Sequence, residues 1–166
     1  MNDNLKVKLK NIKALFFDVD GTLTDGRIIY DAAGNELKSF FARDGSRITL
    51  ALKAGLSIYF ITSRVSESVK RRAEDRKING VLSKNDFPGA SFADFFNTIG
   101  VTAEEVLYLG DDINDIPFMQ CVGLKVAVAD AAAEVIACAD IITNAPGGYG
   151  AVAEIIECVL QAHKND

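Results

Sequence analysis

The stretch ALFFDVDGTLTDG, residues 14–26, decides the fold of this chain. Its apolar start, residues 14–17, predicts a buried β-strand. Two carboxylates at i and i+2, Asp18 and Asp20, follow at once and point to the same side if Val19 stays extended. Two like charges so close repel each other unless a cation or a shared proton intervenes. Two interpretations fit this stretch alone: an ordinary acidic turn, or half of a site for a hard divalent cation such as Mg²⁺.

Length and composition favour one domain, residues 1–166, with a substantial hydrophobic core. Apolar residues make up 49% of the chain, yet no apolar run approaches the roughly 18 residues of a membrane span. The polar, lysine-rich start has no secretory signal. The net charge is −5 with both signs interspersed, which argues against a nucleic-acid-binding surface. We therefore expect neither a membrane nor a nucleic acid as partner.

The cysteines and the single histidine restrict the available chemistry. Cys121, Cys138 and Cys158 are widely spaced and form no CxxC pair, which favours free thiols in a reducing cytoplasm. The only histidine, His163, is expected in a polar tail, which disfavours Ser-His-Asp and Cys-His mechanisms and His-rich metal sites. Catalysis has to run on carboxylates, hydroxyls, lysines, backbone amides and a hard metal.

Strand-like and helix-like segments alternate along most of the chain. This alternation predicts an α/β fold, a doubly wound parallel sheet with helices on both faces. The predicted strands after the first are 56–61, 78–82, 106–109, 124–128 and 141–142, and the predicted helices are 65–77, one from Pro88, 116–121, 131–138 and 152–160.

One region departs from the alternation. Residues 27–31 and 36–41 predict a β-hairpin that projects from the main sheet. We expect Arg43-Asp44-Gly45 to end the hairpin and a short helix around Ile48–Leu52 to end at Gly55. A hairpin and one helix leave no room for an inserted cap domain.

Polar residues follow three of the predicted strands. Asp18 and Asp20, Thr62 and Ser63, and the pair 111–112 all stand at carboxyl ends, where open parallel sheets bind ligands. This placement favours a site over a simple turn. Carboxylates hold a hard metal, while hydroxyls, a lysine such as Lys84 and glycine-turn amides bind an anion, so a phosphate with Mg²⁺ is predicted. A carboxylate can attack phosphorus, and a second carboxylate can protonate the leaving oxygen and later activate water.

These residues resemble the motifs of the haloacid dehalogenase superfamily. Residues 18–24, DVDGTLT, resemble its first motif, Thr62 its second, and residues 110–115, GDDIND, its fourth. Further segments are similar to the 3-deoxy-D-manno-octulosonate 8-phosphate phosphatase group: 24–26, 43–45, 61–64, 115–117, 122–124, 129–131 and 147–152.

The resemblance implies a Rossmann-like core and a role for each site residue. Asp18 would be the nucleophile and Asp20 the general acid/base. Asp18, the backbone carbonyl of Asp20, and Asp111 would bind Mg²⁺, with Asp112 or Asp115 in support. Thr62 would hold the phosphate, with Ser63 and Arg64 nearby. Thr62, Asp112 and Asp115 could also be helix caps, and Arg64 could also be a surface charge.

Four positions depart from the family pattern, and one of them is Ser63, where the family usually has glycine. Pro88 stands where the family has its third-motif lysine, and the nearest lysine is Lys84, four residues earlier. Lys84 either reaches the phosphate from its loop or is a solvated loop lysine. Relatives commonly carry arginines at the positions of Tyr149 and Ala153, and their absence here leaves the acidic sugar substrate open.

The sequence therefore predicts a Mg²⁺-dependent phosphomonoesterase for a small sugar phosphate, 3-deoxy-D-manno-octulosonate 8-phosphate or a related sugar-acid phosphate. The alternative is a degenerate domain that binds a ligand or drives oligomerisation. A phosphoglucomutase-like transfer is disfavoured because it usually needs a cap. Uncapped relatives resemble one another in forming homotetramers through their hairpins. Five apolar residues would supply the contacts here unless they fold back on their own domain: Ile28, Ile29, Tyr30, Phe40 and Phe41.

Overall fold

The computed structural model of the chain describes residues 3–87 and 90–164, and its centre is strand β1. All five residues of β1 are buried, because parallel neighbours pair with it on both sides and helices cover both faces. The six-stranded parallel sheet has the order β5-β4-β1-β6-β7-β8, and a separate two-stranded antiparallel hairpin joins β2 to β3. The strands are β1 Ala14–Asp18, β2 Ile29–Tyr30, β3 Glu36–Leu37, β4 Ser57–Thr62, β5 Gly80–Ser83, β6 Val106–Gly110, β7 Leu124–Ala127 and β8 Ile141–Ile142.

Seven helices complete the described fold, and their apolar faces cover the sheet. Helix α7 packs against both α1 and α2. Helix α4 brings Phe92 edge-on to Phe16 of β1 at 5.1 Å between ring centroids, while Tyr59 of β4 stacks on Phe16 at 4.9 Å. The helices are α1 Asp3–Asn11, α2 Ala42–Lys53, α3 Glu67–Arg76, α4 Ala90–Ile99, α5 Ile116–Met119, α6 Ala133–Cys138 and α7 Ala151–Lys164.

The predicted fold class is confirmed. The chain has the doubly wound parallel sheet and the small hairpin, and the described residues include no cap domain between β1 and β4. The predicted helix face on α4 is also confirmed, since Phe92 and Phe96 are buried and Phe95 and Ile99 pack against the core. None of the helices in the described ranges combines the length and hydrophobicity that crossing a bilayer demands.

Two local predictions are wrong. Residues Arg43-Asp44-Gly45 do not end the hairpin, because they lie inside the first turn of α2. Gly45 packs closely against α3 there, since a Cβ at this position would stand 2.6 Å from a guanidinium nitrogen of Arg72, whose side chain would have to move. The polar tail predicted around His163 is also wrong, because this residue lies in the last turn of α7. The lysine-rich start forms α1, which buries Leu9 against the core.

Candidate active site

The turn after β1 leaves space for the carboxylate of Asp111 close to that of Asp18. Asp18 ends the strand with its side chain buried, and the chain then turns through residues 19–23. Gly21 has a φ of +94°, a conformation that L side chains rarely adopt, and a Cβ on it would overlap the carboxylate of Asp111. Glycine is therefore required here both for its backbone and for the space that it leaves to the acidic turn after β6.

An acidic cluster forms where β1 and β6 end. Asp18, Asp111 and Asp115 each place a carboxylate oxygen within 4.8 Å of the others. Asp115 is fully buried, and both its oxygens are occupied. Its Oδ1 accepts hydrogen bonds from the Tyr108 hydroxyl at 2.6 Å and from Lys84 Nζ at 2.7 Å. Its Oδ2 accepts the backbone N–H groups of residues 111 and 112 at 3.0 and 3.1 Å.

The bonding of Asp115 separates its role from those of its two neighbours. With four donors on its two oxygens, Asp115 shapes the turn rather than offering a free ligand. Gly110 makes room for it, because a Cβ there would lie 2.5 Å from the Asp115 carboxyl carbon. Asp18 and Asp111 are left as the pair whose oxygens can serve a metal ion.

Burial and crowding raise the pKa of both remaining carboxyl groups. Burial, followed by the charge of Asp115, raises the pKa of Asp18 well above its ordinary value, although Lys84 opposes the effect. The same two causes raise the pKa of Asp111 to about 6. Desolvated, mutually repelling carboxylates gain most from a hard divalent cation, so the donor set fits Mg²⁺.

Lys84 lies at the floor of the site and not in solvent. It follows β5, whose last residue Ser83 pairs with Thr62 of β4. Its Nζ is 2.6 Å from Oδ1 of Asp18 and 3.0 Å from Oδ1 of Asn114, in addition to its bond with Asp115. Burial lowers the pKa of Lys84, but the charges of Asp18 and Asp115 outweigh that effect and raise it above its ordinary value. A cationic Lys84 thus stands beside the predicted nucleophile.

A cavity of about 170 Å³ opens above this floor. It gathers most of the residues predicted from the sequence, with Asn114 as an addition: Asp18, Asp20, Thr62, Ser63, Arg64, Lys84 and Asp112. Larger cavities lie elsewhere, and one of about 380 Å³ is formed by α1 and α7. That cavity offers no carboxylate and is mostly apolar, so it lacks the chemistry of a metal-assisted site.

The hydroxyls and charges at the rim have local partners as well. The hydroxyl oxygen of Thr62, at the buried end of β4, accepts the backbone N–H of Arg64 at 3.0 Å. Asp112 caps the short turn 113–115 by accepting the N–H of Ile113 at 2.8 Å. Arg64 is half exposed and stands 3.6 Å from Glu36 of the hairpin. The capping alternative is therefore observed for Asp112, which also lines the cavity.

Comparison with known proteins identifies the family. Residues 89–156 match the family described as haloacid dehalogenase-like hydrolase. A 3-deoxy-D-manno-octulosonate 8-phosphate phosphatase from Escherichia coli BL21 is 38% identical over 96% of this chain and 85% of the relative. The corresponding phosphatase from Haemophilus influenzae is 40% identical over 95% of this chain and 88% of its own length. The chain belongs to this phosphatase family.

Solved structures of the phosphatase family share the whole fold. The 3-deoxy-D-manno-octulosonate 8-phosphate phosphatase from Moraxella catarrhalis, in complex with magnesium, phosphate and the sugar, has a TM-score of 0.93 at 32% identity. It covers 99% of this chain and 95% of that one. A cobalt-bound phosphatase from Haemophilus influenzae has a TM-score of 0.87 at 37% identity, covering 95% of this chain and 92% of that one.

These relatives confirm the predicted family, enzyme class and cofactor. They support a sugar-phosphate phosphatase over the predicted alternative of a degenerate binding module. Mg²⁺ is the cofactor, and Asp18, Asp111 and the backbone carbonyl of Asp20 are the groups that would hold it. When bound, the ion neutralises charge on a phosphoryl group and on the surrounding carboxylates.

The position of the phosphatase family's third-motif lysine, Pro88, lies outside the described residues. What the structure does describe is Lys84, which reaches Asp18 from the turn after β5. The sequence alone leaves open whether this lysine is solvated, and its burial excludes that alternative.

Several residues around the site were not predicted from the sequence. Tyr108 lies in a strand whose sequence is otherwise apolar. Its hydroxyl donates to Asp115, and this polar group was the one signal in the strand that could have indicated the contact. Asn114 lies inside the fourth motif and contacts Lys84. Lys38 comes from the hairpin and forms an ion pair with Asp20, a pairing over 18 residues that no local pattern predicts.

Proposed function

We propose that this protein is a Mg²⁺-dependent phosphomonoesterase that hydrolyses 3-deoxy-D-manno-octulosonate 8-phosphate or a closely related sugar-acid phosphate. The observation that carries the proposal is the ion pair of Asp18 with Lys84, next to Asp111, at the floor of an open cavity. It combines a nucleophilic carboxylate, a cation for the phosphate and a metal-binding oxygen set. The names of the relatives supply the sugar.

The reaction divides into two displacements at phosphorus. In the first, a carboxylate oxygen of Asp18 forms a bond to phosphorus, the bond from phosphorus to the sugar oxygen breaks, and Asp20 donates its proton to that oxygen. In the second, Asp20 takes a proton from water, and the water oxygen attacks phosphorus. Inorganic phosphate leaves, and the Asp18 carboxylate is regenerated. Enclosing walls would help exclude other water from this exchange.

The cations and hydroxyls around Asp18 are proposed to hold the phosphoryl group. Lys84 takes the role of the third-motif lysine, with its charge already placed 2.6 Å from Asp18. Thr62 and Ser63, at the end of β4, contribute hydroxyls, and Arg64 stands at the rim toward the sugar. Asp112 and Asp115 support the metal ligands by fixing the turn after β6.

The sugar end of the site differs from the family pattern at two positions. Tyr149 is exposed, while Ala153 is completely buried in the first turn of α7. Neither provides a positive charge for a sugar carboxylate, so Arg64 is the proposed carboxylate-binding group.

We also propose that the protein works as a homotetramer in the cytoplasm. Apolar side chains of the hairpin and its flanks stand exposed in the single chain: Ile28, Ile29, Tyr30, Leu37 and Phe41. Phe40 instead folds back on its own domain, where the Arg72 guanidinium lies 5.2 Å from its ring. All three cysteines are free thiols, which suits a reducing compartment.

A phosphate-release screen over sugar phosphates tests the function. We expect release from 3-deoxy-D-manno-octulosonate 8-phosphate that requires Mg²⁺ and falls by at least about 10³-fold in Asp18→Asn, because the amide is not a nucleophile. An exposed carboxylate on α3, changed in Glu67→Gln, is the matched control. Release that survives Asp18→Asn would reject the phospho-aspartate mechanism, and absence of release from every ester would reject the function.

A further inference from the structure

The hairpin contributes a buried cation to the site. The side chain of Lys38 is only 1% exposed, although the residue follows a two-stranded hairpin that projects from the sheet. Its Nζ forms one ion pair with Oδ1 of Asp20 and another, at 2.6 Å, with Oε1 of Glu36. A lysine is rarely buried to this extent unless its charge is matched, and here two carboxylates match it.

The backbone that carries Lys38 is anchored independently of Asp20. The Ser68 hydroxyl of α3 donates a hydrogen bond to the carbonyl oxygen of Glu36 at 2.9 Å. The Glu36 carboxylate lies between Lys38 and the rim residue Arg64, at 2.6 and 3.6 Å. An alternating row of charges therefore runs from Arg64 at the rim, through Glu36 and Lys38, to Asp20, the proposed general acid/base.

The contact engages one oxygen of Asp20 and leaves the other available. Within residues 3–87 and 90–164, the structure records a side-chain hydrogen bond at Oδ1 but none at Oδ2. The Asp20 side chain is 29% exposed and lines the cavity. A carboxylate with that freedom would sample several rotamers, and a fixed cation on one oxygen restricts it to those that point the other oxygen into the cavity.

We propose that Lys38 is a positioning residue, which holds the Asp20 carboxylate in the orientation that serves the leaving oxygen. The hairpin thus takes part in catalysis through Asp20 and is not only an outer surface. This inference rests on the proposed function, since Asp20 has a proton to deliver only if a phosphate ester is cleaved.

Lys38→Met tests the proposal, because it keeps the buried stem and removes the charge. Two esters are compared by kcat/KM, which reports the step that forms phospho-Asp18. An alkyl sugar phosphate needs a proton on its leaving oxygen, whereas p-nitrophenyl phosphate does not. We expect kcat/KM to fall by about 10- to 100-fold for the sugar phosphate and by less than about 3-fold for the aryl ester. The exposed lysine in Lys53→Met is the matched control.

A double-mutant cycle separates positioning from a structural role. In an Asp20→Asn background, Lys38→Met should cause almost no further loss of kcat/KM with the sugar phosphate, because the group it positions is already absent. Lys38→Gln, which can still donate a hydrogen bond to Asp20, should recover part of the loss and serves as the test variant if Lys38→Met does not fold.

The outcomes distinguish a failure of the positioning role of Lys38 from a failure of the proposed phosphatase function. Equal losses for the two esters, additive losses in the cycle, or the unfolding of both Lys38 variants would overturn the positioning role. Those results leave the phosphatase proposal standing as long as the wild-type protein hydrolyses the sugar phosphate. A wild-type protein without Mg²⁺-dependent turnover overturns the function itself.

Discussion

At the scale of single residues, Lys84 is the lysine that lies beside Asp18, although the family's third-motif lysine is expected four positions later. Its Nζ is within 3.0 Å of three side-chain oxygens, on Asp18, Asn114 and Asp115. A long lysine stem makes this geometry reachable from the turn after β5, four positions before the expected one. Under the proposed function, Lys84 supplies the charge that the phosphoryl group requires, and it does so from the turn after β5.

Replacing Lys84 should weaken both binding and turnover. In Lys84→Met we expect kcat/KM for the sugar phosphate to fall by at least about 100-fold, with a clear increase in KM, because the phosphate loses its buried cation. The exposed lysine in Lys53→Met is the control. A rate within about 2-fold of wild type would show that Lys84 does not replace the third-motif lysine.

Asp44 carries a buried charge that the proposed reaction does not use. It is 1% exposed, its Oδ1 accepts the N–H of Ala153 at 2.8 Å, and its Oδ2 has no partner among the described residues. Burial raises the pKa of Asp44 from 3.8 to about 6. Because the folded state holds this proton more tightly, the group favours folding at low pH, and the benefit is lost as pH rises through about 6.

Asp44→Asn should remove this pH dependence. The pKa difference corresponds to about 3 kcal/mol in total, of which about 1.5 kcal/mol falls between pH 5 and pH 8. In urea titrations, we therefore expect the free energy of unfolding of the wild type to fall from pH 5 to pH 8 by about 1.5 kcal/mol more than that of Asp44→Asn. A difference that does not change with pH would contradict the raised pKa.

At the scale of elements, two loops are fitted to each other across the site. The loop before α7 lies against the turn after β1, where Gly148 donates its N–H to the carbonyl oxygen of Thr22 at 2.9 Å. A Cβ on Gly147 would overlap the backbone oxygen of Gly21. The added Cβ would be fixed to the backbone of residue 147, and its neighbour is a backbone oxygen, so no side-chain rotation can relieve the overlap.

Gly147→Ala should therefore damage the site as well as stability. We expect an apparent Mg²⁺ affinity at least about 10-fold weaker and a loss of about 2 kcal/mol or more in unfolding free energy, because the turn that carries Asp20 must shift. Gly80→Ala is the control, since its Cβ would meet only the Tyr59 ring at 3.4 Å. Similar values for the two variants would show that the loop adapts without moving the turn.

Strand ends could be predicted from the local sequence pattern, whereas contacts between distant elements could not. The strand ends after β1, β4 and β6 were predictable because apolar runs stop abruptly at polar residues, and the topology then brings those residues to one edge. Gly45 was misinterpreted as a turn because its role is the approach of Arg72 from another helix. The contact of Lys38 with Asp20 was missed for the same reason, since only the docked hairpin creates it.

At the scale of the whole molecule, an uncapped site leaves one side open to solvent. The exposed apolar residues of the hairpin, Ile29 and Tyr30 among them, offer a surface that a second copy of the chain can cover. In Tyr30→Asp with Ile29→Asp we expect the proposed tetramer to give way to smaller species in light scattering coupled to size exclusion, because charges are poorly tolerated in an apolar contact.

Val7→Asp is the control for this prediction, because Val7 is an equally exposed apolar residue on α1, away from the hairpin. A tetramer that persists in the hairpin variant, or a wild-type protein that is monomeric at micromolar concentration, would reject the assembly through this surface.

The different anchoring of β1 and the hairpin has a consequence for amide hydrogen exchange. β1 is paired on both sides and buried on both faces, so its amides should exchange only through global opening. The hairpin has one short pair of strands and should exchange through local opening at much lower cost. The proposed nucleophile, Asp18, therefore belongs to the segment of slowest exchange, while the hairpin amides should exchange faster and report the local stability of the contact between Lys38 and Asp20.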